Sequence, residues 1–288
     1  MEPEQNLFVS ALGIDHTKSG MTVYAESARS SLESDENKAL LSGFGETLPE
    51  AINNLRASTP QKLDLSHCAI IAVGKRTKDT EKALYKYILS RPEEMLSVYI
   101  VACDNAEELL SCTGASPVGY ELSHALKKNY YAGETRTPAT VMDILNNLAG
   151  FYLPYFSVDH KTYSFSGAAY YDGFTRVTLK SADEVRLINI LRGEFSRGKI
   201  TSNTAAFDIS HTSLKTNATD DTIALSVSVN MQGDKRLLKE ELLTILNEFK
   251  NNYSLNIFGF EKDGSLISNQ NFNKKDIKLT LEVNNIAS

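Results

Sequence analysis

The chain has 288 residues, 42% hydrophobic and 23% charged, an ordinary globular composition at a length beyond which single cores usually stop growing. Its 36 acidic and 30 basic residues leave a net charge of −6, so no general attraction to phosphate backbones is expected and nucleic acid is set aside as a partner. Three cysteines, Cys68, Cys103 and Cys112, are too few for a disulfide framework or a four-cysteine zinc site, and no apolar run approaches the roughly 20 residues of a membrane-spanning helix.

The opening Met-Glu-Pro-Glu-Gln-Asn lacks the basic and apolar regions of a signal peptide. LFVSALGI at 7–14 and MTVYAESA at 21–28 read as two strands of a hairpin joined by a longer turn at 15–20. Residues 29–42 carry little periodicity and read as an excursion. Gly43-Phe44-Gly45 then reads as a turn before a helix. It lacks the further glycine and the lysine of a phosphate cradle. In the helix that follows, Leu48, Ile52 and Leu55 share a face, and Thr47 is placed to cap it with Glu50 three positions on.

AIIAV at 69–73, ending at Gly74, has the β-branched character of a buried strand. Residues 77–89 repeat Ala83, Leu84, Tyr87 and Ile88 at helical spacing until Arg91-Pro92. SVYIVACD at 97–104 is a further strand, and a helix starts at Ala106. The alternation predicts an N-terminal α/β-type domain over 1–125. A small middle α+β domain rich in aromatics and glycine, 126–180, follows, with a helix over 139–149 on Val141, Ile144, Leu145 and Leu148. Two strand segments come next, with tight turns such as Tyr171-Asp172-Gly173-Phe174.

A C-terminal α+β domain, 181–288, opens on a capping box at Ser181 and Glu184, before a helix that stops at Gly193. Strict alternation of Ile223, Leu225, Val227, Val229 and Met231 predicts a strand with one wet face. A helix over 237–253 points Leu238, Leu242, Ile245, Leu246 and Phe249 inward, and DIKLTLEVN at 276–284 alternates again. The sheet of this domain is expected to be antiparallel. The fold class is therefore α+β, in three small domains, each a mixed or antiparallel sheet with helices packed on it.

Residues that could carry chemistry are few. Ser66-His67-Cys68 brings a hydroxyl, an imidazole and a thiol together, but adjacent residues on a strand point to opposite faces and rarely build a nucleophile, base and orienting group. Cys68 reads as a small core residue and His67 as a surface residue at strand entry. His16, His124, His160 and His211 are scattered and form no metal-ligand spacing, and Asp159-His160 reads as a turn. The acidic pairs Glu93-Glu94, Asp220-Asp221 and Glu240-Glu241 read as solvated charge. No catalytic, cofactor-binding or metal-binding residue is expected.

VSALGIDHTKSGMTVYAE at 9–26, GFGETLPEAINNLRASTPQKLDLSHCAIIAVGK at 43–75 and ILSRPEEMLSVYIVAC at 88–103 together resemble the Ger(x)C family, the C subunits of spore germinant receptors. The matching elements are Leu12-Gly13-Ile14-Asp15, Gly43 to Ile52, Thr59-Pro60-Gln61-Lys62-Leu63, His67, Ala69 to Gly74 and Arg91-Pro92. Further on, TYSFSGAAYYDG at 162–173 and the helix leading to LNIFGF are similar to later parts of the family pattern. After Phe260 the chain runs EKDGSLISNQNFN, where the family usually carries a longer stretch with tryptophan.

The resemblance implies a non-enzymatic lipoprotein subunit, lipid-anchored on the outer face of the spore inner membrane. It would act with membrane A-type and B-type subunits in nutrient-triggered germination. Two other readings compete: an extracytoplasmic small-ligand binding module, which needs a preformed pocket with convergent polar groups, and a hydrolase using Cys68 or His67, which needs an exposed thiol of depressed pKa.

Overall fold

The computed structural model describes residues 6–28, 38–75, 86–87, 90, 97–114, 116–132, 140–146, 151–172, 175–201, 205–218, 222–252, 261–262, 265–266 and 276–285. The molecule is α+β. Chain contacts divide it into two compact units: 1–127 with 138–148 and 153–179, and 128–137 with 149–152 and 180–288.

The first unit is built on a nine-stranded sheet. Strands β1 (Asn6–Thr17), β2 (Gly20–Ala28) and β3 (Lys38–Gly45) form an antiparallel run on one side, and β5 (Ile70–Val73), β6 (Tyr99–Ala102) and β7 (Phe151–Asp159) extend it in parallel on the other. Strands β8 (Thr162–Asp172) and β9 (Thr175–Ser181) complete the order, and the short β4 (Lys62–Asp64) pairs in parallel with the start of β1. The 151–179 region thus adds its strands to the sheet begun by the first hundred residues.

The β1–β2 turn is tighter than expected: Thr17 pairs with Gly20, leaving only Lys18 and Ser19 between the strands, because β1 continues through Ile14, Asp15 and His16. Gly43 and Gly45 are strand residues of β3, which corrects their reading as a turn. Helix α1 (Leu48–Ala57) buries Leu48, Ala51, Ile52 and Leu55 and lies so close that a Cβ on Gly43 would meet the backbone of Ala51 and Leu55. Thr47 caps α1, its hydroxyl accepting from Glu50 N–H at 3.4 Å.

Of the 29–42 stretch, residues 38–42 belong to β3; 29–37 lie outside the described residues, as do most of the predicted 77–89 helix, Arg91-Pro92 and the turn at 173–174. Helices α2 (Ala106–Leu110) and α3 (Val118–Ala132) cover one face of the sheet. Leu109, Leu110, Val118, Leu122 and Leu126 pack there with Ala11, Ile70, Val101 and Phe156. Helix α4 (Val141–Asn146) is the described part of the predicted 139–149 helix, with Val141 and Ile144 buried.

The second unit holds a four-stranded sheet in the order β10 (Gly198–Thr201), β11 (Ala206–Ala218), β12 (Thr222–Gln232), β15 (Asp276–Asn285), with a two-stranded β13 (Glu261–Lys262) and β14 (Ser265–Leu266) beside it in sequence. Its first two pairings are antiparallel, but β12 and β15 run parallel, which corrects the expectation of an antiparallel sheet. The reason lies between them: α6 (Lys235–Asn252) carries the chain back over the sheet, and a helical crossover delivers the next strand in the same direction.

Ile223, Leu225, Val227, Val229 and Met231 on β12 are buried, and so are Leu238, Leu242, Ile245, Leu246 and Phe249 of α6, as the alternation and helical spacing predict. Helix α5 (Ala182–Leu191) opens on the complete Ser181/Glu184 capping box. It ends where Gly193, at φ 69°, lets Gly193 and Glu194 N–H donate back to Ile190 and Asn189 carbonyls.

Candidate functional site

The Ser66-His67-Cys68 triplet sits on the lip between β4 and β5. Ser66 donates from both N–H (2.9 Å) and Oγ (2.6 Å) to Asp64 Oδ1, forming a turn that ends when Cys68 N–H donates to Leu65 carbonyl. Those two bonds hold the Asp64 carboxyl below its ordinary value. His67 is exposed and stands edge-on to the Phe8 ring at 5.1 Å. Cys68 is buried, its thiol donates to Ile70 carbonyl at 3.3 Å, and burial pushes its pKa up to about 12. A nucleophilic thiol needs exposure and a depressed pKa, and this one has neither. Cys103 is buried as well, with its thiol pushed by burial well above the ordinary range, and Cys112 is buried, its thiol donating to Glu108 carbonyl at 3.4 Å.

The other histidines stay apart. His16 lies on β1, His124 is exposed on α3 and His211 is exposed on β11. His160 sits with Lys161 in the tight turn from β7 to β8, both at positive φ (47° and 61°), as a turn at Asp159-His160 requires. Among the described residues no group of three His, Cys, Asp or Glu side chains is placed to hold a metal ion. Glu240 and Glu241 lie on the outer and flanking sides of α6; Glu93-Glu94 and Asp220-Asp221 fall outside the described residues.

Parallel sheets normally bind ligands in the crevice at the carboxyl ends of strands where the chain turns to opposite sides. Here that point lies between β1 and β5, because the chain leaves β1 for β2 and β3 on one side and returns to β5 on the other. The crevice is filled by the chain itself. Asp15, at the end of β1, accepts from Ala106 N–H at 2.9 and 3.0 Å and from Glu107 N–H at 3.2 Å, capping α2, whose own N-cap Asn105 accepts from Glu108 N–H. Gly13 gives α2 room, since a Cβ there would press on Ala106 and Leu110, and Gly74 leaves space for the Asp15 carboxylate. Tyr24 closes the side by donating to Glu107 Oε2 at 3.1 Å. Burial pushes the Asp15 carboxyl above 3.8 against the lowering pull of the two N–H groups.

A second carboxylate does the same for α3. Glu26, fully buried on β2, accepts from Val118 N–H at 2.7 Å, from Gly119 N–H at 2.8 Å and from Ser10 Oγ at 2.8 Å. Neither carboxylate was singled out as a helix cap by sequence reasoning. Both sit on strands, about ninety residues from the helices they cap, and no local spacing signals such a partnership.

An open concave feature lies elsewhere, in a groove of about 590 Å³ lined by Arg56 from the last turn of α1 and by the stretch Gln61, Lys62, Leu63, Asp64, Leu65 and Ser66. It gathers two cations, one carboxylate, two leucines and the Ser66 hydroxyl, which is engaged in donating to Asp64, an arrangement able to hold a small charged molecule.

A family model described as the spore germination protein N-terminal domain matches residues 1–158. A search of curated proteins gives no match. Among solved structures, the crystal structure of the GerBC protein is similar over 96% of this chain and 97% of that one, with a TM-score of 0.56 at 14% identity, which establishes a shared fold. The residues that carry the resemblance, Leu12 to Asp15 and Ala69 to Gly74, are those that build the β1–β5 junction and its cap on α2. With more than half of its length matched by the family model, the chain belongs to the Ger(x)C family of spore germination proteins.

Proposed function

We propose that this chain is a non-enzymatic subunit of a spore germinant receptor, held on the outer face of the spore inner membrane by an N-terminal lipid anchor and acting with membrane A-type and B-type subunits in nutrient-triggered germination. The observation that carries this reading is the family match over residues 1–158. Two features of the molecule favour a scaffold over an enzyme: the β1–β5 crevice is occupied by Asp15 and α2, and the Cys68 thiol is buried with a raised pKa. Among the described residues no helix is long and apolar enough to cross a membrane, so attachment in this reading falls to the lipid.

The test is mass spectrometry of the membrane fraction for a diacylated N-terminal cysteine on the gene product, paired with affinity purification from detergent-solubilised spore membranes. A diacylated cysteine and co-purifying polytopic and permease-like subunits are expected. An unlipidated product in the soluble fraction sinks the anchor, and purification without those subunits sinks the assembly. The alternative reading, an extracytoplasmic small-ligand binding module, is favoured by one observation, the groove at Arg56 and 61–66.

A further inference from the structure

We propose that the groove beside α1 is a binding site for a small organic carboxylate, with Arg56 and Lys62 as its anion-holding residues and Leu63 and Leu65 lining the place of the ligand's hydrocarbon body. The groove's volume, about 590 Å³, is within the range of small-molecule sites. Arg56 is half-buried at the end of α1, where its Nη2 makes one long contact, donating to Tyr87 Oη at 3.4 Å. Lys62 is exposed on β4, and among the described residues neither cation has a salt-bridge partner. Two other arginines of the chain are matched with carboxylates, Arg186 with Asp183 and Arg192 with Glu194. On a chain with an acidic excess, two cations against one carboxylate on one concave surface are a local reversal of sign.

The charge of the ligand follows from the rest of the lining. Asp64 shares the groove and is held by Ser66, so the three side chains sum to a single positive charge and favour a monoanion over a phosphate dianion. The end of α1 that reaches the groove is its carbonyl end, which carries partial negative charge and also disfavours a dianion. Arginine's planar fork matches a carboxylate, and lysine adds a point charge. The proposal goes beyond the receptor-subunit reading and holds whether or not the chain assembles with membrane subunits.

The experiment is an NMR titration of the whole ¹⁵N-labelled chain with hexanoate and, separately, with hexanamide. Saturable shifts at Arg56 and at Lys62 to Ser66 are expected with hexanoate and not with the amide. The Arg56→Gln/Lys62→Gln double variant should weaken hexanoate binding by about 10- to 100-fold. Lys62→Gln alone, on an exposed side chain that leaves the fold intact, should give an intermediate loss. Absence of shifts at the groove, equal response to hexanamide, or unchanged binding in the variants overturns the proposal. So does a response to a tetraglutamate peptide without one to hexanoate, which would make the groove a protein contact. All of these are read on the isolated chain, whereas the subunit reading stands or falls on co-purification.

Discussion

In the first unit, helices α2 and α3 receive caps from strand carboxylates 91 and 92 residues away, Asp15 and Glu26, whereas in the second unit Ser181 and Glu184 cap α5 from within a single turn. The two devices satisfy the same orphan N–H groups but differ in what they fasten. A capping box stabilises one helix end. A carboxylate reaching from β1 or β2 also fixes where the helix lies on the sheet, and it can be buried because several donors surround it. The first unit therefore stakes its tertiary arrangement on two side chains, and the second spreads its stability over a helix–sheet core with a local cap.

The largest effect should come from Glu26→Ala. It leaves the Val118 and Gly119 N–H groups without the acceptor each now has, and Ser10 Oγ with the carbonyl of residue 26 alone, in a site with no exposure to water, and should lower the unfolding free energy by about 4 kcal/mol. Urea unfolding followed by circular dichroism measures it; a loss below about 1 kcal/mol would show that the long-range cap is dispensable and remove the contrast between the units. Gly43→Ala comes next, at about 2–3 kcal/mol, because the new Cβ would drive into the backbone of α1 at Ala51 and Leu55 rather than into a flexible side chain. The same melts read it, and an unchanged midpoint would mean that α1 can slide on β3.

The second unit's counterpart is Lys180, 5% exposed and held by Glu248 at 2.6 Å and by Glu184 at 3.1 Å. Replacing it with Met strands two carboxylates that are themselves about one-third open to water. The expected loss is thus about 2 kcal/mol, less than for a fully buried pair. The pH dependence has a defined sign. For Glu184, burial would raise the pKa, but the Ser181 N–H and the Lys180 ammonium outweigh it and lower it from 4.5; its contribution is full above 4.5 and lost as pH falls through the folded value. Lys180, depressed by burial but raised more by its two carboxylates, contributes fully below 10.5 and loses that contribution as pH rises through its folded value. Asp15 has the opposite sign in acid. Its raised pKa means that the folded state binds the proton more tightly, so this group favours folding as pH falls towards 3.8. Wild type and Glu184→Gln should differ at pH 7 and converge as pH falls through the folded value of Glu184; a gap that persists once Glu184 is protonated would rule out its charge as the source.

These differences track what could be read without coordinates. Thr47 with Glu50, Ser181 with Glu184, the Gly193 stop and the alternation from Ile223 to Met231 are all local patterns, and the structure repeats each of them. What escaped depended on partners distant in sequence. Gly43 and Gly45 read as turn glycines because only the packed α1 reveals why a strand there must lack side chains. The parallel pairing of β12 with β15 depends on the crossover, to which an alternating strand is indifferent. The Leu12 to Asp15 motif was visible as a family pattern, yet its task, seating α2 over the end of β1, appears only when Ala106 is brought beside it. At the groove, Ser66-His67-Cys68 marks the region by its nucleophile types, whereas the cavity is lined by Gln61 to Ser66 and by Arg56, which local spacing does not connect to them.

The smallest effect sharpens the comparison most, because it isolates a local cap. Ser181→Ala removes the hydroxyl that accepts from Glu184 N–H at 3.3 Å but leaves Glu184 Oε2 accepting from the backbone N–H of residue 181 at 2.8 Å. Half of the box survives and the freed N–H lies at an exposed helix end, so about 1 kcal/mol is expected. Hydrogen exchange adds the decisive readout. Protection should fall at Asp183, Glu184 and Val185, with the interior of α5 from Leu187 to Leu191 changed only in step with the global loss. In Glu26→Ala, by contrast, protection should fall along the whole of α3 and on β1 and β2 as well, since that side chain joins helix to sheet. If Ser181→Ala spread as widely, the cap would be fixing tertiary position too, and the distinction between a local and a long-range carboxylate cap would fail for this protein.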